Sequence, residues 1–228
     1  ALIGVLRCFR NLVYVTPGGA KVFGDELLNT IGVVYFERED LKCASAFSSS
    51  ADVRIAWGGR DAVTSIVSLP KKYSCEDIIF GPKLSLMAIG KGYLNSDKIL
   101  RKTLRRAATD ASVFDQYACA SPHTIFIEDG GFVSARDFAE QLSETMEKAQ
   151  TRLPANIPEA AQANKLRAKI ATHQLKGEAW YDGQLRWAVL YGRGAVVDEP
   201  TYGRAVTVRS INNISDIFPL IDGEIQTI

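Results

Sequence analysis

Asp52-Val53-Arg54-Ile55-Ala56-Trp57-Gly58-Gly59-Arg60-Asp61-Ala62-Val63 sets a β-rich run against a glycine pair and then against the opening of a segment, Ala62 to Leu69, that can form a helix. Strand, tight turn and helix in direct succession make the building unit of an α/β protein. Leu12-Val13-Tyr14-Val15 and Val33-Val34-Tyr35-Phe36 precede this stretch, and Asp77-Ile78-Ile79-Phe80 and Leu84-Ser85-Leu86-Met87-Ala88-Ile89 follow it. Apolar runs of this length, spaced by segments long enough for helices, predict buried parallel strands. Further along, Lys98 to Ala108 reads as a helix and Ala135 to Leu153 more clearly so. In the latter Phe138, Leu142, Met146, Ala149 and Leu153 recur at helical spacing, with Glu140, Glu144, Glu147 and Lys148 on the opposite face, as in a surface helix packed on a sheet. Pro154 to Pro158 closes it, and the alanine-rich Glu159 to Gln174 is expected to be helical again. Trp187 to Tyr191 and Ala205 to Val208 read as strands separated by the turn-rich Gly192 to Gly203. A lobe boundary is expected near Gly81-Pro82, dividing residues 1–82 from 83–228.

Composition narrows the functional classes. In 228 residues, 46% hydrophobic, there is ample material for a core. Lysine and arginine number 27 against 26 for aspartate and glutamate, which gives no basic field for nucleic acid. Cys8, Cys43, Cys75 and Cys119 lie far apart without metal-ligand spacing, so free thiols in a reducing compartment are expected. The opening ALIGVLRCFRNLVYV is apolar but is cut by Arg7, Arg10 and Asn11, too short a run to span a membrane and without the marks of a signal peptide. These features predict a cytoplasmic protein. The absence of an initiating methionine and the strand-like close Gln226-Thr227-Ile228 are those expected of an excerpt truncated at both ends.

Three stretches bear on chemistry. The first is Phe114-Asp115-Gln116-Tyr117-Ala118-Cys119-Ala120-Ser121-Pro122, followed at once by the strand-like His123 to Glu128. A cysteine in a loop ahead of a strand, flanked by small residues, leaves room for a substrate carbonyl and a backbone N–H to meet it. A nucleophilic role requires the thiolate. Taken alone, the residue type reads rather as a buried cysteine behaving as a small apolar side chain. The second is the Gly58-Gly59 pair, where a strand-to-helix turn can let phosphates approach the backbone, or can be an ordinary tight turn. Thr16-Pro17-Gly18-Gly19 reads only as a turn. The third is Phe80-Gly81-Pro82-Lys83-Leu84-Ser85.

Taken in order, AWGGRDAV, FGPKLS and FDQYACASP resemble the aldehyde dehydrogenase superfamily, and within it the LuxC-type acyl-CoA (fatty-acyl) reductases. Arg204 to Arg209 and Ile225-Gln226-Thr227 are similar to the family's late strands, so the resemblance covers most of the chain. It implies an aldehyde-dehydrogenase-like fold with a partial nicotinamide-binding lobe to residue 82 and a catalytic lobe after it. It further implies Cys119 as the nucleophile, and Trp57, Gly58, Gly59 and Gly81 around the cofactor, NADPH. Asp198-Glu199-Pro200-Thr201-Tyr202-Gly203 resembles the segment whose acidic residue holds the nicotinamide ribose, which points to Glu199. The implied substrate is an acyl-CoA or acyl-carrier protein, and the implied assembly a homo-oligomer. The implied oxyanion donors are the Cys119 backbone N–H and an asparagine upstream of this chain. Where hydrolytic aldehyde dehydrogenases carry a glutamate base at the head of the segment matching FGPK, this chain has Ile79, which favours reduction of a thioester over formation of an acid.

Two other readings stay open: a CoA-acylating aldehyde dehydrogenase, and a non-catalytic binding module on an α/β scaffold. His123 is expected to point away from Cys119, and His173 to lie at the surface. Lys98, Arg101, Lys102, Arg105 and Arg106 read as a solvated helix face, with phosphates of CoA or an acidic carrier as the alternative.

Overall fold

Hydrophobic periodicity switches along the chain between two and about 3.6 residues, and a computed structural model describing residues 2–228 resolves that alternation into two compact units, Ala1–Phe80 and Gly81–Ile228. The first unit contains α1 (Leu2–Phe9), β1 (Val13–Val15), β2 (Lys21–Phe23), α2 (Gly24–Leu28), α3 (Leu41–Ser50), β3 (Val53–Trp57), α4 (Arg60–Val67) and β4 (Glu76–Phe80). Strands β3 and β4 pair in parallel from Val53 opposite Glu76 to Trp57 opposite Phe80, with α4 as the crossover. Arg54, 7% exposed, ties this unit together. Its guanidinium donates to Asp77 at 2.6 and 2.8 Å, to Ser48 Oγ at 2.6 Å and to the carbonyls of Ile66 and Leu69 at 3.1 and 3.2 Å. Hydrogen bonds from Arg54 and Lys71 hold the Asp77 carboxyl far below the usual carboxylate range.

Two expectations are corrected in this unit, and one helix was not foreseen. Val13–Val15 is not a buried parallel strand: it is an exposed arm of an antiparallel hairpin with β2, because the Thr16-Pro17-Gly18-Gly19 turn, with Gly19 at φ 83°, folds the chain straight back. Val33 to Phe36 has strand composition but no ladder; Phe36 stacks instead on Phe47 with ring centroids 5.8 Å apart. Helix α3 was hidden by its serine-rich sequence and starts where the Asp40 side chain accepts from the Cys43 N–H at 3.0 Å.

The second unit is built on a six-stranded sheet. Its elements are β5 (Leu84–Ile89), α5 (Asp97–Ser112), β6 (Pro122–Glu128), α6 (Ala135–Gln150), α7 (Ala160–Lys176), β7 (Glu178–Tyr181), β8 (Ala188–Arg193), β9 (Ala205–Ile211) and β10 (Ile225–Thr227). The strand order is β10-β5-β6-β9-β8-β7, parallel except for the antiparallel edge strand β7. Alternation along each strand assigns side chains to opposite faces. Ile125, Ile127, Val189, Val206 and Val208 pack with Leu104, Phe138, Leu142 and Met146 of α5 and α6. On the other face Ala188, Leu190 and Ala205 meet Ala163, Leu166 and Ile170 of α7, while Phe126 meets Leu86, Ile211 and Ile217. With both faces covered, every residue of β6 is buried, which is why its apolar run shows no polar alternation. Strand β7 escaped the sequence reading because a short, half-exposed edge strand carries little hydrophobic signal. Among the described residues, no helix is long and apolar enough to cross a membrane.

Candidate active site

Cys119 reaches its position through an unusual piece of backbone. Helix α5 ends at Ser112, and the next turn carries Phe114, Asp115 and Gln116 at φ 51°, 50° and 69°. Three successive non-glycine residues in the left-handed region cost about 1–2 kcal/mol each, so side chains must hold them there. They do. Gln116 is fully buried, and its amide donates to the carbonyls of Pro122 and Ala205 at 2.9 and 3.0 Å while accepting from the Ala205 N–H at 2.9 Å. Asp115 pairs with Arg204 at 2.6 Å and accepts from Asn156 Nδ2 at 2.7 Å. Opposite this run, Tyr202, Gly203 and Arg204 are also left-handed, at φ 55°, 67° and 61°, and the Gly203 N–H donates to the Asp115 carbonyl at 3.1 Å. Two strained segments thus brace each other at the start of β6 and β9.

The thiol itself is exposed, which overturns the buried reading of Cys119. Ser85 Oγ on β5 donates to the Cys119 carbonyl at 2.6 Å, and the Gln226 side-chain amide on β10 donates to Sγ at 3.4 Å. The Ser121 N–H returns to the Ala118 carbonyl at 3.0 Å and closes the loop around the cysteine. Lys83, in the FGPK segment, donates to the Gly223 carbonyl just ahead of β10. Asp115 and Gln116 lay inside the quoted cysteine motif, yet their task is to shape the loop. Ser85, Arg204 and Gln226 carried no chemical signal of their own in the sequence.

Residues 10–228 match the family described as acyl-CoA reductase (LuxC). The chain belongs to that family. It is similar to the long-chain acyl-protein thioester reductase of Photorhabdus luminescens, 28% identical over 199 residues covering 84% of this chain and 38% of that protein. It is also similar to the Vibrio harveyi protein of the same description, 26% identical over 197 residues, covering 85% of this chain and 39% of that one. The chain therefore spans about two fifths of the length of the curated relatives it matches. A 1-pyrroline-5-carboxylate dehydrogenase variant from Thermus thermophilus superposes with a TM-score of 0.53 at 12% identity, over 78% of this chain and 37% of that one. The fold is that of the aldehyde dehydrogenases.

Within this LuxC-family chain, the other residues singled out by sequence fall in different places. Trp57, Gly58 and Gly59 lie in the first unit, at the end of β3, where Trp57 is 75% exposed and packs against Phe80 with ring centroids 5.4 Å apart. Gly58 sits at φ 152°, and a Cβ there would stand 3.2 Å from Ala62 Cβ. Gly59 is the N-cap of α4, with open space where a Cβ would be and no side-chain cap on the helix. That combination of bare backbone and helix N-terminus fits a phosphate-bearing cofactor. Gly81, in the second unit, also faces open space. The Glu199 side chain is exposed, and its carbonyl accepts from Lys169 Nζ at 3.0 Å. The neighbouring Asp198 is engaged by Arg209 at 2.7 and 2.8 Å.

Both histidines are structural. His123, 3% exposed, meets the edge of the Tyr202 ring with centroids 5.2 Å apart, and Tyr202 stacks in turn on Tyr117 at 5.0 Å. Its Nδ1 has no partner among the described residues. Burial, aided by the charge of Lys169, lowers its pKa to about 4, so the ring is neutral and only weakly basic at physiological pH. His173, expected at the surface, is half-buried, and its Nδ1 lies 3.1 Å from the Tyr191 carbonyl. Unfolded, His123 takes a proton near pH 6.5; folded, only near pH 4, so falling pH through that window favours the unfolded chain. His123→Phe in the full-length protein is expected to flatten the loss of stability between pH 7 and pH 4.5, removing on the order of 2 kcal/mol of it. Denaturant midpoints for wild type and variant at the two pH values measure this, and parallel slopes would refute the buried, neutral assignment. His173 is lowered by burial too and stays in both proteins, so only the difference counts.

Proposed function

We propose that this protein reduces an acyl thioester, on CoA or on an acyl-carrier protein, to the aldehyde through an S-acyl intermediate on Cys119, with NADPH as the reductant. The observation that supports this most is the exposed Cys119 thiol in a braced loop, in a chain of the LuxC acyl-CoA reductase family. The Cys119 thiolate attacks the thioester carbonyl, a new carbon–sulfur bond forms, and the carrier leaves as its thiol after taking a proton from water. A bound reduced nicotinamide supplies the hydride. The Cys119 thiohemiacetal then collapses, releases aldehyde and restores the thiolate. Within the first unit, Gly58 and Gly59 would admit the cofactor's phosphates to the backbone at the start of α4. By the resemblance, Ile79 stands where hydrolytic aldehyde dehydrogenases carry a glutamate base, which favours reduction of the acyl-enzyme over its hydrolysis.

The test follows product and direction. Full-length protein given a long-chain acyl-CoA or an acylated carrier protein, with NADPH, is expected to form aldehyde and free carrier thiol faster than with NADH. Faster turnover of aldehyde with free CoA and oxidised cofactor would assign it to the CoA-acylating dehydrogenases instead. No turnover in either direction, with no acyl group on the protein, would leave a binding module.

A further inference from the structure

We propose that Gln226 is a catalytic residue whose side-chain amide stabilises the oxyanion formed when the acyl group is on Cys119. The inference deepens the reading of Cys119 as acyl carrier and rests on it. Two independent observations carry it. The Gln226 Nε2 lies 3.4 Å from Cys119 Sγ, and among the described residues that sulfur is the amide's partner. The β10–β5 ladder also breaks its register at this residue: Ile225 is opposite Leu84 and Thr227 opposite Ser85, so Gln226 sits on the irregularity. Bulges re-aim side chains, and here the extra residue sends a long polar side chain from the sheet edge to the thiol.

The other side of the cysteine is held from the same place. Ser85, the residue opposite Thr227, fixes the Cys119 carbonyl through its hydroxyl at 2.6 Å. A single strand pair therefore anchors both the backbone of the cysteine and the donor that touches its sulfur. That arrangement fits the requirement for preorganised donors aimed at developing charge.

The chemistry assigns the amide a specific moment. As Sγ bonds to the acyl carbon, the carbonyl π-electrons move onto oxygen; as the carrier's sulfur departs they return. The oxygen belongs to a carbon bonded directly to Sγ, so it forms within reach of an N–H already placed against that sulfur. Gln226 is neutral, and it donates without introducing a charge that would need compensation in the apoprotein. The same donor acts again when hydride adds to the acyl-enzyme, because the same oxygen regains its charge. Gln226 thus works beside the Cys119 N–H, from a different strand and independently of any residue upstream of this chain.

Two near-isosteric variants in the full-length protein test it. Gln226→Met keeps length and shape without a donor, and Gln226→Glu places an acceptor where the donor stood. Both are expected to lower the single-turnover rate of Cys119 acylation by acyl-CoA by about 10–100-fold, with KM changed much less than kcat. Alkylation of Cys119 by iodoacetamide generates no oxyanion, so Gln226→Met should slow it only by what the lost N–H to Sγ contact does to the thiolate, and by much less than it slows acylation. Acylation and alkylation falling in parallel would reveal a merely structural residue and overturn the proposal, as would acylation at the wild-type rate in both variants. Failure of the underlying reading looks different: acyl-CoA would then leave no acyl group on Cys119 even in the wild-type protein.

Discussion

Cys119→Ser in the full-length protein is expected to lower kcat/KM for thioester reduction by at least about a thousandfold and to abolish the covalent acyl adduct. The substitution changes one atom and leaves every contact that shapes the loop in place: the Gln116 amide on Ala205, the Asp115–Arg204 pair and the Ser85 hydroxyl on the residue's carbonyl. What it removes is the sulfur nucleophile, for a hydroxyl is a much weaker nucleophile without a base beside it. The nearest histidine in sequence, His123, is buried and barely basic, so no imidazole activates the serine. Intact-mass measurement after mixing with acyl-CoA alone should show one acyl group on the wild type and none on the variant. The other thiols provide the control. Cys75 is buried, and Cys43 is pushed up by its hydrogen bond to Asp40, so both are poor competitors for the acyl group. Cys8 is exposed, and Cys8→Ser should leave turnover unchanged. An acyl adduct that survives in Cys119→Ser, or turnover within tenfold of wild type, would remove Cys119 from the mechanism.

The parts of this molecule that were legible in its sequence are those set by local periodicity. The β3–Gly58-Gly59–α4 succession, strand β5, helices α5 and α6, and the loop ahead of β6 all follow from where apolar residues recur and where glycine interrupts them. Pairing is different, because a strand is defined by its neighbour. Val33 to Phe36 has the composition of a strand and finds no ladder, whereas Glu178–Tyr181, only four residues long, forms the sheet edge. The site divides in the same way. Cys119 was visible as a residue type in a recognisable motif, but Gln226 reaches it only because β10 pairs with β5 out of register, a fact of long-range topology. Asp115 and Gln116 were visible as letters beside the cysteine, while their purpose depends on partners at Arg204 and Ala205, distant in sequence and adjacent in the sheet.

That purpose predicts the largest effect on stability. Asp115→Ala is expected to destabilise the second unit by roughly 3 kcal/mol, because it leaves the Arg204 guanidinium buried without its carboxylate. Arg204 is 3% exposed, bonded to Asp115 at 2.6 Å, and its remaining N–H groups donate to the Leu153 and Pro154 carbonyls at 2.6 and 3.2 Å. Those carbonyls stay satisfied when Asp115 goes, but the charge no longer does, and desolvation then acts against the fold unopposed. The loss should be partly recovered when Arg204→Met is added, since the double variant buries neither charge although the Leu153 and Pro154 carbonyls lose their donor. A double-mutant cycle on denaturant unfolding measures this coupling, and strictly additive penalties would show that the pair contributes nothing as a pair. Activity should respond more steeply than stability. Asp115 and Gln116 are held in the left-handed region by their side chains, and relaxing Asp115 releases the strain that sets the position of Cys119 four residues further on. Assayed well below its unfolding midpoint, Asp115→Ala should therefore remain folded yet acylate Cys119 more slowly, whereas Asp115→Asn, whose one amide oxygen can still accept from Arg204 while its Nδ2 cannot accept from Asn156, should lie between it and wild type. If Asp115→Ala acylated as fast as wild type while folded, the brace would serve the stability of the unit and not the placement of the thiol.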